Sequence, residues 1–247
     1  MVAPQREVVE PTVMPSVVEI YQRTKKLPDL PWNRWVCRPL AAVVVRGLIS
    51  TRVTPNQVTL LAFALAVVAA ALLAAWPGTW GLVIGVLLYE LSYVLDCADG
   101  MLARWRGVAS KSGHLLDFLM DEIKALLILG AVSVRLHLET GEATPLLLGV
   151  GGLVVLATGV SITTFQRREE IAGPATPSAA PARKAPLLLR LPLAVAKLLV
   201  HYPSYIWLAA VTGRVEIYFY PYLAVNALYA LKSLAWVALR FGRFERA

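Results

Sequence analysis

Long apolar runs separated by short polar breaks set the rhythm of this chain. An α-helix needs ~20 predominantly apolar residues to cross the hydrocarbon of a bilayer. Runs of that kind fall at 57–76, 80–102, 114–136, 145–166, 191–212 and 216–240, which predicts six transmembrane helices. Ahead of them, residues 31–50 place Trp32, Arg34, Trp35, Arg38 and Arg46 around a modest apolar stretch, the pattern of an amphipathic helix lying in the headgroup layer. Its basic residues either hold anionic lipid or simply form a positive flank. Residues 1–29 are polar with scattered prolines, and a short helix is expected near 17–25. The stretch 173–186, GPATPSAAPARKAP, reads as a flexible tether between the fourth and fifth spans.

The expected organisation is therefore a segment 1–50 with its juxtamembrane helix, a six-span domain 51–241, and a tail 242–247. Residues 1–30 lack a charged start, an apolar stretch and a small-residue cleavage site in succession, so the first span is expected to act as its own insertion signal. Composition agrees with this all-α integral membrane class. Of 247 residues 57% are hydrophobic and 16% charged, and mean hydropathy is +0.61, too apolar for a soluble domain.

Charge adds orientation. Of the 24 Lys and Arg, all but Lys124, Arg135, Lys197, Arg214 and Lys232 fall in segments on one side of the predicted bundle. By the positive-inside rule both termini are cytoplasmic, in a cytoplasmic membrane. The net charge of +8 follows this rule and forms no separate basic domain, which argues against a nucleic-acid partner. Cys37 and Cys97 make no disulfide framework, and Cys97 is expected to be a packing residue.

Against this apolar background the stretch DCADGMLARWRGVASKSGHLLDFLMD, residues 96–121, stands out. Four carboxylates lie between membrane runs, where an unpaired charge is costly. On a helix Asp96, Asp99 and Ala103 share one face, and Asp117 and Asp121 share another. Two such faces brought together make an oxygen-only pocket suited to hard divalent cations, Mg²⁺ or Mn²⁺. Gly100 and Gly113 leave room for close approach of a nucleotide or of backbone, or else serve helix packing. Lys124 falls three residues after Asp121 and seven after Asp117, so it is expected to pair with one of them. Glu90 and Glu122 could support the site or face a wet crevice. His201 and Lys197 share a face of the fifth span, where a polar packing role is expected.

The spacing Asp96-x2-Asp99-Gly100-x2-Ala103-Arg104-x8-Gly113-x3-Asp117-x3-Asp121 resembles the signature of the CDP-alcohol phosphotransferase family at every fixed position. The likeness extends to Thr54-Pro55-Asn56 and covers roughly residues 51–240. It implies an enzyme at the cytoplasmic face that moves a substituted phosphate from a CDP-linked alcohol to a second, polar alcohol, releasing CMP, in phospholipid biosynthesis. It also implies two divalent ions held by Asp96, Asp99, Asp117 and Asp121, with Asp121 as general base. Donor binding would fall to Asp96, Asp99, Gly100, Ala103, Arg104 and Gly113, and Lys111, Arg167 and Arg168 would receive a phosphate on the acceptor. A homodimer among membrane lipids is implied as well. The donor is expected to be CDP-diacylglycerol, with a CDP-polyol as the alternative. A ping-pong route through Cys97 or His114 is a further possibility. From other classes, a divalent-cation transporter explains the acids but not Gly100, Ala103, Arg104 and Gly113, and a scaffold explains neither.

Overall fold

A computed structural model describes residues 14–26, 28–166, 168 and 187–244. Every regular element among them is helical. Helix α1, Val17–Thr24, starts where Ser16 Oγ accepts from the Glu19 amide at 3.1 Å. After a short connection, a π-helical turn at Asn33–Cys37 runs directly into α2, Arg38–Leu48. Helix α2 buries Arg38, Ala41, Ala42 and Val45 and exposes Leu40 and Val43 on its other side.

Helix α3, Pro55–Ala75, begins with a capping box: Thr54 Oγ1 accepts from the Gln57 amide, and the Gln57 side chain accepts from the Thr54 amide. Pro55 at the first position has no amide to leave unsatisfied. Its buried face is built from small residues, Ala62, Ala66, Ala69 and Ala70, so α4, Thr79–Trp105, approaches closely. A three-residue connection makes the pair an antiparallel hairpin. Helix α5, Lys111–Thr140, is opened by Ser110 Oγ accepting from the Gly113 amide at 3.0 Å and closed by Gly141 at φ 73°. Helix α6, Thr144–Gln166, then turns back against it, and Gly152 permits that contact because a Cβ there would strike Leu129 and Leu223.

The predicted fifth span is not one helix. It consists of α7, Leu187–Val200, a 3₁₀ turn at Tyr202–Ser204 and α8, Trp207–Thr212. Pro203 cannot donate to the preceding turn and ends the α-helical register there. The break is satisfied locally: His201 Nδ1 pairs with Ser204 Oγ at 2.5 Å and its Nε2 with Tyr93 Oη at 2.8 Å. Helix α9, Glu216–Phe244, closes the bundle and continues through residues 242–244, expected to be tail. The tether 173–186 lies outside the described residues.

Among the described residues, four helices are long and apolar enough to cross a membrane: Pro55–Ala75, Thr79–Trp105, Thr144–Gln166 and Glu216–Leu239. Their outer surfaces expose large apolar side chains such as Leu147 and Leu239, 72% and 81% accessible, which calls for a lipid environment. Helix α5 has the length, but it carries Asp117, Asp121, Glu122, Lys124, Arg135 and Glu139. Its two buried cations, Lys124 and Arg135, are paired with carboxylates. Arg135 is 1% exposed, binds Glu139 at 2.6 Å, and donates to the carbonyls of Trp76 at 3.1 Å and Gly78 at 2.6 Å, so it ties the α3–α4 turn to α5.

Two apolar cores result. One lies among α3, α4, α5 and α9, around Leu73, Tyr89, Leu129 and Phe219. The other joins the N-terminal helices to the motif half of α4, through Ile20, Cys37, Val45, Ala98 and Met101. Cys37 and Cys97 are both free and buried in this second core, and burial pushes the Cys37 thiol up to about 12. That fits packing rather than nucleophilic chemistry.

Arg135→Ala removes a buried cation from beside Glu139 and takes the donor from the Trp76 carbonyl. It should cost about 3–5 kcal/mol, typical of breaking a buried pair. Thermal unfolding of the purified protein in detergent measures this, and an unchanged midpoint would contradict the assigned role.

Candidate active site

Helices α4 and α5 face each other across the motif, and each contributes two carboxylates. One oxygen from each of Asp96, Asp99 and Asp117 lies within 4.8 Å of the others. Asp96 and Asp99 are 8% and 5% exposed, while the side chains of Asp117 and Asp121 are 35% and 38% exposed and open toward the cavities. Asp117 Oδ1 is buried and accepts no hydrogen bond. Three converging carboxylate oxygens, on residues one of which keeps an unsatisfied acceptor, fit a hard divalent cation.

The partners of these acids show how the chain accommodates them. Thr59 Oγ1, from α3, donates to Asp99. Lys124, 1% exposed, donates to Asp96 and to Asp121 Oδ1, the latter at 3.1 Å. The sequence placed Lys124 beside one carboxylate of its own helix, and it also crosses to α4. Arg104 is oriented by α1, because its Nε donates to the Thr24 carbonyl at 2.8 Å. Its guanidinium lies over Gly100, where a Cβ would come within 3.2 Å of Nη1. A Cβ on Gly113 would come within 3.2 Å of Ser110 Oγ and 3.5 Å of Asn56 Oδ1. The two glycines therefore make room for polar side chains at the cavity wall.

A mainly polar cavity of about 430 Å³ and a second of about 480 Å³, with more apolar lining, share Lys26, Asp99, Gly100, Arg104 and Asp117. The larger takes in Ala103, Gly113 and Thr54-Pro55-Asn56. The smaller reaches Asp96, Asp121 and Lys197 and is walled by the N-terminal segment. A third cavity of about 290 Å³, lined mainly by apolar residues of α5, α6, α7 and α9, also touches Asp121.

The N-terminal wall is the part that sequence reasoning missed. Asp29 and Arg38 form a buried ion pair, Asn33 donates to Asp29 at 3.0 Å, and Tyr93 donates to Asn33 at 3.0 Å. Burial works against the charge of Asp29, but the hydrogen bonds from Arg38 and Asn33 outweigh it and hold the carboxyl below its usual range. Trp32 stacks on Trp207 at 5.6 Å and donates to Glu90 at 3.3 Å, linking this wall to the broken fifth span. His201 takes the polar packing role expected of it, whereas Lys197 stands on a cavity wall. Glu122 lines the third cavity. Lys111 and Arg168 are exposed and line none of the three cavities, and Arg167 lies outside the described residues. The three cavities are also without Cys37, while Cys97 lines the smaller polar one.

Fold and site together define a helical, membrane-type enzyme with a carboxylate centre between two helices and room beside it for a phosphate-linked substrate. The chain belongs to the CDP-alcohol phosphatidyltransferase family, whose model matches residues 52–221. It is 35% identical over 123 residues to a bifunctional IPC transferase and DIPP synthase of Rubrobacter xylanophilus, a match covering 49% of this chain and 27% of that protein. It is 32% identical over 130 residues to a phosphatidylinositol phosphate synthase of Corynebacterium glutamicum, covering 53% of this chain and 57% of that one. The chain thus spans little more than half of the second relative and about a quarter of the first. Membership in a transferase family also decides against the transporter and scaffold readings.

Thr59→Val keeps the volume of the side chain and removes the donor to Asp99. Outer-shell partners of metal ligands typically contribute 10–100-fold in affinity, so Mn²⁺ affinity should fall about tenfold or more with the fold intact. Electron paramagnetic resonance titration reads this, and unchanged affinity would separate Thr59 from the site.

Proposed function

We propose that this protein transfers the diacylglycerol phosphate of CDP-diacylglycerol to the hydroxyl of a small polar alcohol phosphate, such as inositol phosphate or glycerol phosphate, and releases CMP. The observation that carries this reading is the position of Asp121. It borders both the polar cavity of about 430 Å³ and the apolar cavity of about 290 Å³. A single carboxylate between a wet pocket and a greasy one suits a reaction between a soluble acceptor and a lipid-tailed donor.

The residues divide the work. Asp96, Asp99 and Asp117 would hold a divalent cation, which supplies charge neutralisation for a diphosphate. Arg104, oriented by the Thr24 carbonyl, offers a fork-shaped donor to a phosphate oxygen. Ala103, Gly100 and Gly113 keep the wall of the cavity of about 480 Å³ low enough for the cytidine portion. Asp121 takes the proton of the acceptor hydroxyl. The acceptor oxygen then bonds to the phosphorus bearing the diacylglycerol, and the bond from that phosphorus to the oxygen of CMP breaks. Lys26 and Lys197, on the wall of the polar cavity, meet the acceptor's own phosphate.

In the membrane the chain makes six crossings, with α7 and α8 forming the fifth around its break. Both termini and the site lie at the cytoplasmic side, and α2 rests in the headgroup layer. A second reading, a CDP-polyol donor without acyl chains, is favoured by the likeness to the protein named IPC transferase and DIPP synthase.

Purified protein with Mg²⁺, labelled acceptor and either CDP-diacylglycerol or a CDP-polyol distinguishes the two. Label in a chloroform-soluble product is expected, and label confined to the aqueous phase would establish the second reading. Asp121→Asn should preserve the fold and CDP binding and lower CMP release by about 10²–10⁴-fold, the usual range for a general base. Turnover within tenfold of the unaltered protein would remove Asp121 from that role.

A further inference from the structure

The resemblance that identified the family implies a pair of divalent ions, yet the described carboxylates do not leave two equivalent places. Asp96, Asp99 and Asp117 converge on one point, and Asp121 is outside that group. Between Asp121 and Asp96 stands the ammonium of Lys124, in contact with an oxygen of each. A two-ion centre bridges its ions with carboxylates drawn from both sides of the site. Here the residues that would flank a second ion are already joined by a cation from the protein.

We propose that Lys124 is a built-in replacement for the second ion, so that this enzyme works with one divalent cation and one fixed ammonium. The proposal rests on the phosphotransferase reading above and specifies its metal requirement.

Three features make the ammonium a resident rather than a filler. Its side chain is 1% exposed, enclosed by helices on all sides. Its backbone is pinned, because Tyr89 Oη donates to the Lys124 carbonyl at 3.0 Å from the facing helix. Among the described residues these two carboxylates are the hydrogen-bond and ion-pair partners of its ammonium. To admit a second ion, Lys124 would have to give up both and remain as an uncompensated buried charge. A lysine is also a compact point charge with three donors, able to hold two carboxylates and still present positive potential toward a phosphate.

The test is metal stoichiometry. Full-length protein in detergent micelles or nanodiscs is equilibrated with Mn²⁺, with and without saturating CDP, and bound Mn²⁺ is counted by equilibrium dialysis and electron paramagnetic resonance. One Mn²⁺ per chain with an uncoupled spectrum is expected in both conditions. Two per chain, or spin-coupled Mn²⁺ pairs on adding CDP, would overturn the proposal. Lys124→Met, which keeps length and removes charge, should raise the count to two in protein that remains monodisperse, and Lys124→Arg should keep it at one. A count of one in folded Lys124→Met would also overturn it. Should Lys124→Met fail to fold, the count for the unaltered protein and for Lys124→Arg decides alone. CMP release by a protein found to bind two ions would defeat this inference and leave the phosphotransferase reading standing. Absence of CMP release with every donor would defeat that reading instead.

Discussion

Four carboxylates held between two apolar helices are the constraint to which the rest of the bundle answers. A buried carboxylate is expensive unless each oxygen finds a donor or a cation. The chain recruits such donors from neighbouring helices: Thr59 of α3 donates to Asp99 and Lys124 of α5 donates to Asp96 and Asp121, while Arg104 of α4 is aimed by the Thr24 carbonyl of α1. Each recruitment fixes a piece of architecture. The Thr59 contact sets how α3 rotates against α4, and its alanine face then packs as a consequence of that approach. Asp117 Oδ1 is buried and without a hydrogen bond among the described residues, on a residue that lines both larger cavities. A site that satisfied every oxygen internally would have no affinity left for a metal.

The N-terminal helices belong to the same arrangement. Arg38 and Asp29 neutralise each other at the edge of the polar cavity, so this wall contributes polarity without adding net charge to a site that must accept phosphates. Asn33 passes the interaction to Tyr93 and Tyr93 to His201, where the fifth span is broken. Non-helical backbone at membrane depth persists only where its polar groups find partners inside the protein. The break at His201–Ile206 meets that condition through side chains from α4 and from the turn itself. One hydrogen-bonded chain therefore supports both the cavity wall and the helix break, which couples the shape of the pocket to the seating of α7 and α8.

How much of this could be read from the residues alone varies with the range of the interaction. The places of α3, α4, α5, α6 and α9 were legible to within a few residues, since the apolar runs at 57–76, 80–102, 114–136, 145–166 and 216–240 fall on them. The pairing of the four aspartates was legible too, because its signal is a local offset on each helix. Contacts across long sequence separations were not. Thr59 and Asp99 are 40 residues apart, Tyr93 and His201 108 apart, and no spacing rule joins them. Asp29 lies in a polar, proline-containing stretch that looked like a flank, and nothing local distinguishes an acid that will be buried from one that stays in water. The break in the fifth span had a visible sign in Pro203, but apolar content over 191–212 outweighed it.

Helix α5 shows why hydropathy and chemistry pull against each other in such a protein. Among the long described helices it is the one that composition would not accept as a span, and it carries two of the four acids. Its charges are compatible with the membrane because none of the buried ones faces lipid. Lys124 and Arg135, nearly three turns apart, are each 1% exposed and each matched to carboxylates, with Arg135 also taking carbonyls. Lys124 makes its half a reaction centre, and Arg135 makes the other half a brace for the α3–α4 turn. Solvation of ions by neighbouring helices is the condition that a segment of poor hydropathy must meet in a bilayer. The same pairing that makes the segment tolerable is what positions Asp121 for chemistry.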